Sequence, residues 1–486
     1  MNKVFNTEQV QEKRGRLTEE TIAEVYETDW LASRPVFYHE LSGKASYRIN
    51  EVIDFDNLEF HPEGLANFLS FGYSVLEQTP LRHVKFLPHS SRLTVHTDGR
   101  LEIERLIDPV KGWMGRESHE DDVLHLLEKS VNDWEASVEG EIILPTSGGY
   151  DSRLLNLLVH DRSRIRSFTY GVSENQADCA EVVYAAEVSE ILGTRWERIE
   201  LGDFLVHLNE WDRVFGLSTH AHGCHQIEFY KKVQERVAGG GEHPLLSGII
   251  GDAWAGSVQI PEIVSVQDVQ RLGYSHGMVA DPQMSLLAGD RSILEQYYET
   301  HRERLRSPLF RVVEAMRFKI VLLSYLFTVP RLYGFNPWSP FLVPEVALSM
   351  LTLPAERRRG RVWQKELFER HGLNIESRNL QADYQNAMNP QAMRSPSIKP
   401  LDEKLLAQLV EPRYVQWINR HVGQQGKSWD AVWKMTQMPG IRGALYRLNI
   451  FQDSSRVKAY FAYLTLKPIE NALKKRALAL TCEAHS

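Results

Sequence analysis

The sequence predicts an α/β protein with a parallel-sheet core, a small β-rich portion before it and a helical region after it. Three observations carry that expectation. Between residues 142 and 252, short apolar runs alternate with helical patterns, as in β-α-β units whose strands lie parallel. The first hundred residues alternate apolar and polar positions between turn signals, and from about residue 265 the apolar spacing is helical almost to the end. At 486 residues, with 43% hydrophobic and 25% charged side chains, the chain has ample material for buried cores, which excludes disorder as its main state. The expected units are 1–115, 116–395 and 396–486.

In chain order, residues 35–38 and 91–96 read as short antiparallel strands around a helix over 62–71, the second strand turning at Asp98-Gly99. A helix is expected from Ser118, where Ser118 and Asp121 have capping-box spacing and Val123, Leu124, Leu127, Val131 and Trp134 recur at helical intervals. The strand Ile142-Ile143-Leu144 runs straight into Pro145-Thr146-Ser147-Gly148-Gly149-Tyr150-Asp151-Ser152 and then a helical Leu154, Leu155, Leu158 pattern. A second strand over 165–170 precedes a helix over about 177–192. A third, over 244–248, ends in Ile249-Ile250-Gly251-Asp252. In such folds ligands sit outside the carboxyl ends of the strands, so those loops are where chemistry is expected. The sequence has no internal repeat and no low-complexity segment.

The formal net charge of −8 is uneven. From residue 401 onward 13 Lys and Arg face 7 Asp and Glu, so +6 in the tail and −14 in the first 400 residues make up the total. An acidic body argues against a surface built for nucleic acid or anionic lipid, and a solvated helical face accounts for the basic tail. Three cysteines (Cys179, Cys224, Cys482) are too few for a disulfide framework and fit a reducing compartment. Residues 1–4 lack the apolar core of a signal peptide, and the longest apolar run, 320–330, is too short to span a bilayer. A soluble cytoplasmic protein is expected.

A strand, then Ser-Gly-Gly-x-Asp-Ser, then a helix is a recipe for holding polyphosphate. The glycines admit the anion close to the backbone, helix N-terminal amides point at it, and two hydroxyls add donors. Asp151 would repel a phosphate, so it makes sense as a ligand of the Mg²⁺ that accompanies one. Two competing motifs fail. Gly423-Gln424-Gln425-Gly426-Lys427-Ser428 has its glycines too close together for a P-loop and no strand before it. Around Ser147, Pro145 stands where the hydrolase nucleophile elbow needs Gly.

Residues 147–152 resemble the pyrophosphate loop of the N-type ATP pyrophosphatases. The surrounding order is similar to the synthetase domain of class B asparagine synthetases and their β-lactam synthetase relatives. The likeness runs over about residues 30–380. It takes in residues 65–73, Leu87-Pro88-His89 and Leu93; Phe168-Thr169-Tyr170-Gly171 with Asp178, Ala185, Ala186 and Leu192-Gly193-Thr194; Ser247-Gly248-Ile249-Ile250-Gly251-Asp252 with Gly256; and Pro340-Phe341-Leu342 with Leu353-Pro354 and Lys365. The resemblance implies a pyrophosphate-loop core with ATP and Mg²⁺ as cofactors. It implies that Ser147, Gly148, Gly149 and Ser152 cradle the phosphates, that Asp151 and Asp252 share Mg²⁺, and that Phe168, Tyr170, Gly171 and Gly248 flank the adenosine. Lys365 would neutralise the departing pyrophosphate. The implied reaction activates a carboxylate as its acyl-adenylate, and a nitrogen nucleophile then displaces AMP to form an amide.

The sequence departs from the family where nitrogen is handled. Asn2 stands where the glutaminase nucleophile Cys follows Met, and only the last strands of that domain, over about 30–54, have counterparts. Ile249 replaces the glutamate or tyrosine of the family loop, Ala253 the acid after it, and Val343 the Asp of Pro-Phe-Leu-Asp. These losses argue against an asparagine product. They leave three nitrogen sources or roles open: ammonia from a separate glutaminase, a substrate amine, or none, in a silent ATP-binding partner subunit. A different ATP pyrophosphatase reaction is a further alternative. The carboxylate would belong to a small molecule, peptide or sugar, with no nucleic-acid partner, no membrane span, and a homo-oligomer as an open reading. His220, His222, Cys224 and His225 cluster where the family builds its acceptor pocket. They are read as a base (His222, His225), a Zn²⁺ site or structural residues. Trp417, Trp429, Trp433, Tyr446, Phe451, Tyr460, Phe461 and Tyr463 read as the aromatic core of a helical cap.

Overall fold

The structure is a computed structural model that describes residues 22–237, 241–273, 278–289, 291–422 and 453–483. Its N-terminal part holds six short strands: β1 (Ile22–Thr28), β2 (Phe37–His39), β3 (Ala45–Ser46), β4 (Val84–Phe86), β5 (Ser91–His96) and β6 (Leu101–Arg105). They form two antiparallel three-stranded sheets, ordered β1-β5-β6 and β3-β2-β4. In β5 the buried Ser91, Leu93 and Val95 alternate with half-buried Arg92 and Thr94, the period-2 pattern read from the sequence.

Helix α1 (Pro62–Phe71) begins with Pro at its first turn and His61 Nδ1 accepting from the Gly64 N–H at 3.0 Å, and it stops at Gly72, whose φ of 79° only glycine adopts cheaply. Helix α2 (Glu120–Ser137) starts two residues later than expected and lacks the capping box. Ser118 is drawn away, its hydroxyl and N–H bonding Thr352 at 2.8 and 3.1 Å, and Glu120, Asp121 and Asp122 in the first turn complement the helix dipole instead. Val123, Leu127 and Val131 are fully buried, and Trp134 stacks on Trp338 at 5.1 Å.

The core is a five-stranded sheet of β7 (Ile142–Pro145), β8 (Ile165–Thr169), β9 (Arg195–Arg198), β10 (His243–Leu246) and β11 (Phe335–Trp338), ordered β11-β10-β7-β8-β9 with every pair parallel. Central β7 is covered on both faces, so Ile142, Ile143 and Leu144 are all fully buried, at roughly 2 kcal/mol of hydrophobic stabilisation each. Helices α3 (Tyr150–Leu158) and α4 (Ala180–Leu192) follow β7 and β8. After β9 the chain passes through α5 (Cys224–Gln234) and enters β10 on the other side of β7, which creates a topological switch point between β7 and β10.

The sequence pattern did not announce β9 and β11, and both are edge strands. Arg195-Trp196-Glu197-Arg198 has no apolar run, and Pro337 inside β11 is tolerated because an edge strand spares one ladder donor.

Helices α6 (Pro308–Leu323), α7 (Val362–Arg370) and α8 (Asp453–Glu483) belong to the helical remainder. Tyr460, Phe461 and Tyr463 on α8 are buried, and Trp417 stacks on Tyr414 at 5.7 Å, so these four aromatics pack as expected. Trp429, Trp433, Tyr446, Phe451 and the 423–428 motif lie outside the described residues. Part of the tail's positive charge is matched internally: buried Glu470 accepts from Lys467 and Lys474 at 2.5 and 2.7 Å, and Lys475 reaches Asp212 at 2.7 Å. Trp30 joins the N-terminal part to the core, its ring lying 5.5 Å from Trp254 and its Nε1 donating to the Leu342 carbonyl at 2.8 Å. Among the described residues no helix is long and apolar enough to cross a membrane.

Candidate functional site

The loops leaving β7 and β10 meet at the switch point. In the first, Thr146 is fixed by its N–H to the Phe168 carbonyl at 3.0 Å and by Asn156 Nδ2 to its hydroxyl at 3.0 Å. Gly148 has φ +70°, and a Cβ there would lie 2.3 Å from Tyr184 Cβ, so only glycine fits. The buried Arg153 guanidinium locks the turn, donating to the Gly148 carbonyl at 2.7 Å, to the Leu373 carbonyl at 3.0 Å and bidentately to Glu376 at 2.8 and 2.9 Å. Gly149 caps α3 without a side chain, so no side chain caps the first-turn amides, and Gly149 through Ser152 line the crevice. The Ser152 hydroxyl donates to the Gly149 carbonyl at 3.1 Å and accepts from the Ser147 N–H at 3.3 Å, while Ser147 Oγ accepts from the Gly149 N–H at 3.3 Å. Both serines therefore shape the loop.

The second loop is pressed against α3. A Cβ on Gly248 would come within 3.3 Å of Asp151 Cβ, and one on Gly251 within 2.9 Å of Asp151 Cγ. Ile250 between them has φ 54° and ψ 7°, a left-handed conformation that strains a β-branched residue by about 1–3 kcal/mol. The result places Asp252 beside Asp151.

Arg361 comes from a third direction. It caps α7 with φ 55°, donates to Ser257, and puts Nη1 3.5 Å from Asp151 Oδ1 and Nη2 4.0 Å from Asp252 Oδ2. Burial pushes the Asp151 carboxyl up to about 7, with the Asp252 charge adding to the rise and Arg361 and the Asp252 N–H opposing it. Two adjacent carboxylates are a donor set that fits Mg²⁺, which takes one or two protein carboxylates and fills its octahedron with water and phosphate oxygen. Among the described residues no group of three His, Cys, Asp or Glu side chains forms a dedicated metal cage.

These loops enclose a cavity of about 490 Å³. Of the residues expected to act, Ser147, Gly149, Asp151 and Ser152 line it, as do Phe168, Tyr170, Gly248 and Asp252. Gly148 shapes the loop from behind, and Gly171 permits the turn after β8, where a Cβ would fall 2.3 Å from the Gln176 carbonyl oxygen. Lys365 does not line the cavity. It is exposed one turn along α7, and Arg361 occupies the cationic position instead.

Neither His222 nor His225 lines the cavity; His225 packs 5.6 Å from the Tyr170 ring, and His222 lies 5.9 Å from His225. Burial pushes His225 down to about 3 and His220 well below its usual value, whereas a general base needs a value near working pH. His220 Nδ1 accepts the His222 N–H at 3.2 Å, and the Cys224 thiol donates to the Ala221 carbonyl at 3.4 Å. Burial favours the structural reading for His220 and His225, among the described residues no group of three His, Cys, Asp or Glu side chains could hold Zn²⁺, and His222 is half-buried.

Sequence reading missed Arg361, Arg153 and Glu376. The run Arg357-Arg358-Arg359-Gly360-Arg361 was the available signal for the first, with Gly360 at φ 62° setting its turn. Ile249 lines the cavity, and Ala253 is buried beneath the loop. No protein-family model matches this chain, and no curated protein matches it.

Proposed function

We propose that the switch-point cavity binds Mg²⁺–ATP and that the protein is an AMP-forming ligase of the asparagine synthetase-like, pyrophosphate-loop type. In this reading it adenylates a carboxylate and passes the acyl group to ammonia or an amine. The observation that carries the reading is the meeting of a glycine loop at a helix N-terminus with two adjacent carboxylates bridged by one arginine, at the switch point of a parallel sheet. Asp151 and Asp252 would hold Mg²⁺, which shields the phosphate charge during adenylation. The amides at the start of α3 bind the phosphates, and Arg361, rather than Lys365, supplies the positive charge for pyrophosphate. The apolar Ile249 side chain excludes water from the acyl end of the cavity. With no basic or acidic side chain at that position, the attacking amine reaches the site already neutral or from a separate glutaminase.

Pyrophosphate–ATP exchange across a panel of carboxylates tests this, because it reports the first half-reaction without the amine. The expected result is Mg²⁺-dependent exchange with one carboxylate class. Release of ADP and phosphate would refute it, and ATP binding without exchange for any carboxylate would favour a silent partner subunit.

A further inference from the structure

A second cavity, of about 430 Å³, lies between the N-terminal sheets and helix α6, lined by residues of neither loop of the first. Backbone strain marks it. Among the described residues seven non-glycine residues have left-handed backbone: Ile250 and Arg361 belong to the switch-point site, and Ala32 (φ 60°), Leu76 (φ 58°) and Glu77 (φ 62°) wall the second cavity. Ser90 (φ 49°) adjoins His89, which lines it too. Each such residue costs about 1–3 kcal/mol and persists where the surroundings hold a surface in a required shape.

The charged groups facing this cavity satisfy one another. Glu77 pairs with Arg105 at 2.9 Å and Glu314 with Arg317 at 3.0 Å; Arg317 also reaches Asp108 at 2.8 Å, and Glu314 accepts from the Tyr297 hydroxyl at 2.7 Å. No net charge is left to attract an ion. Neutral and aromatic groups make up the rest of the lining that matters. His89 Nδ1 is buried without a hydrogen-bond partner, its imidazole kept neutral by burial and by Arg317, which push it down to about 4. The rings of Tyr297 and His301 stack face to face at 4.4 Å and 24°, and this aromatic pair lines the cavity together with apolar side chains such as Leu31 and Phe86.

We propose that this cavity is a binding site for an uncharged aromatic or heteroaromatic molecule that packs against the Tyr297–His301 ring pair, beside His89. The inference is independent of the reading of the switch-point site.

The test uses the full chain with isotope-labelled histidine, its ring signals followed by NMR during titration with benzamide, benzoate or benzylamine, which share a ring and differ in charge. His89→Gln assigns its signal. The expected result is a saturable shift of the His89 and His301 signals with benzamide and binding at least ~10-fold weaker for the two ions, about the 1.4 kcal/mol penalty of introducing one unmatched charge. Thr300→Trp plugs the cavity mouth from an exposed position and is expected to weaken benzamide by at least ~10-fold with the other histidine signals in place. No saturable shift at His89, equal binding of all three probes, or undiminished binding to the folded Thr300→Trp variant would overturn the proposal.

Discussion

Replacing Asp151 by Asn separates what this carboxylate costs the fold from what it does for a ligand. Burial raises its pKa from an ordinary 3.8 to about 7. The folded protein therefore holds a proton that the unfolded chain releases. The stabilising contribution is complete below about pH 4 and is lost as pH rises through 7. Three pKa units correspond to about 4 kcal/mol at pH 8, an upper bound because the side chain keeps some contact with water and Arg361 loses a partner in the variant. A net gain of about 2 kcal/mol is expected for Asp151→Asn at pH 8, shrinking to roughly 0.7 kcal/mol at pH 5 and vanishing only below about pH 4. Thermal unfolding of both proteins across pH 5–8 without divalent cations measures it, and Mg²⁺–ATP added at pH 8 should stabilise the wild type alone. A variant no more stable than wild type at pH 8, or a gain that does not vary with pH, would refute the argument that Asp151 is held in a site costly to its charge.

Other substitutions probe the frame around it. Gly148→Ala forces a Cβ into Tyr184 at a left-handed position and should cost about 3 kcal/mol or more, read as a lower unfolding temperature with loss of ATP binding. Arg153→Met strips donors from Gly148, Leu373 and Glu376 and should cost about 3 kcal/mol, the low end for breaking a buried pair because Glu376 stays partly solvated. Unlike Asp151→Asn, it should lower stability and nucleotide binding together. The His225 ring should show no titration between pH 5 and 8 by NMR, since burial holds it neutral throughout; a midpoint near 6.5 would restore it as a candidate base.

The central strands were legible because double-sided burial writes an unbroken apolar run, as in Ile142-Ile143-Leu144, and glycines punctuate its end. Edge strands β9 and β11 face fewer neighbours, carry charges or proline, and leave no such mark. The glycine loop was readable for a similar reason: its requirements are local, a positive φ at Gly148 and a close approach at Gly248. Arg361 was not, because its relation to Asp151 is created by folding across 210 positions, and a sequence cannot tell which of several neighbouring cations turns inward. The histidine cluster shows the converse. Close spacing left base, Zn²⁺ and structural readings open, because spacing carries no information about burial, and burial is what holds His220 and His225 neutral. The Ser118–Asp121 capping box failed on the same ground, as a partner 234 residues away claimed the serine.

The strand order β11-β10-β7-β8-β9 also dictates when the site can exist during synthesis. The glycine loop is synthesised first, Asp252 follows about a hundred residues later, and Arg361 another hundred after that. Until β10 inserts beside β7, the first loop has no facing wall, and until α7 docks, two carboxylates stand together without their cation. A growing chain therefore carries its most recognisable segment through about two hundred residues of synthesis with no complete crevice around it, and competence waits for Arg361.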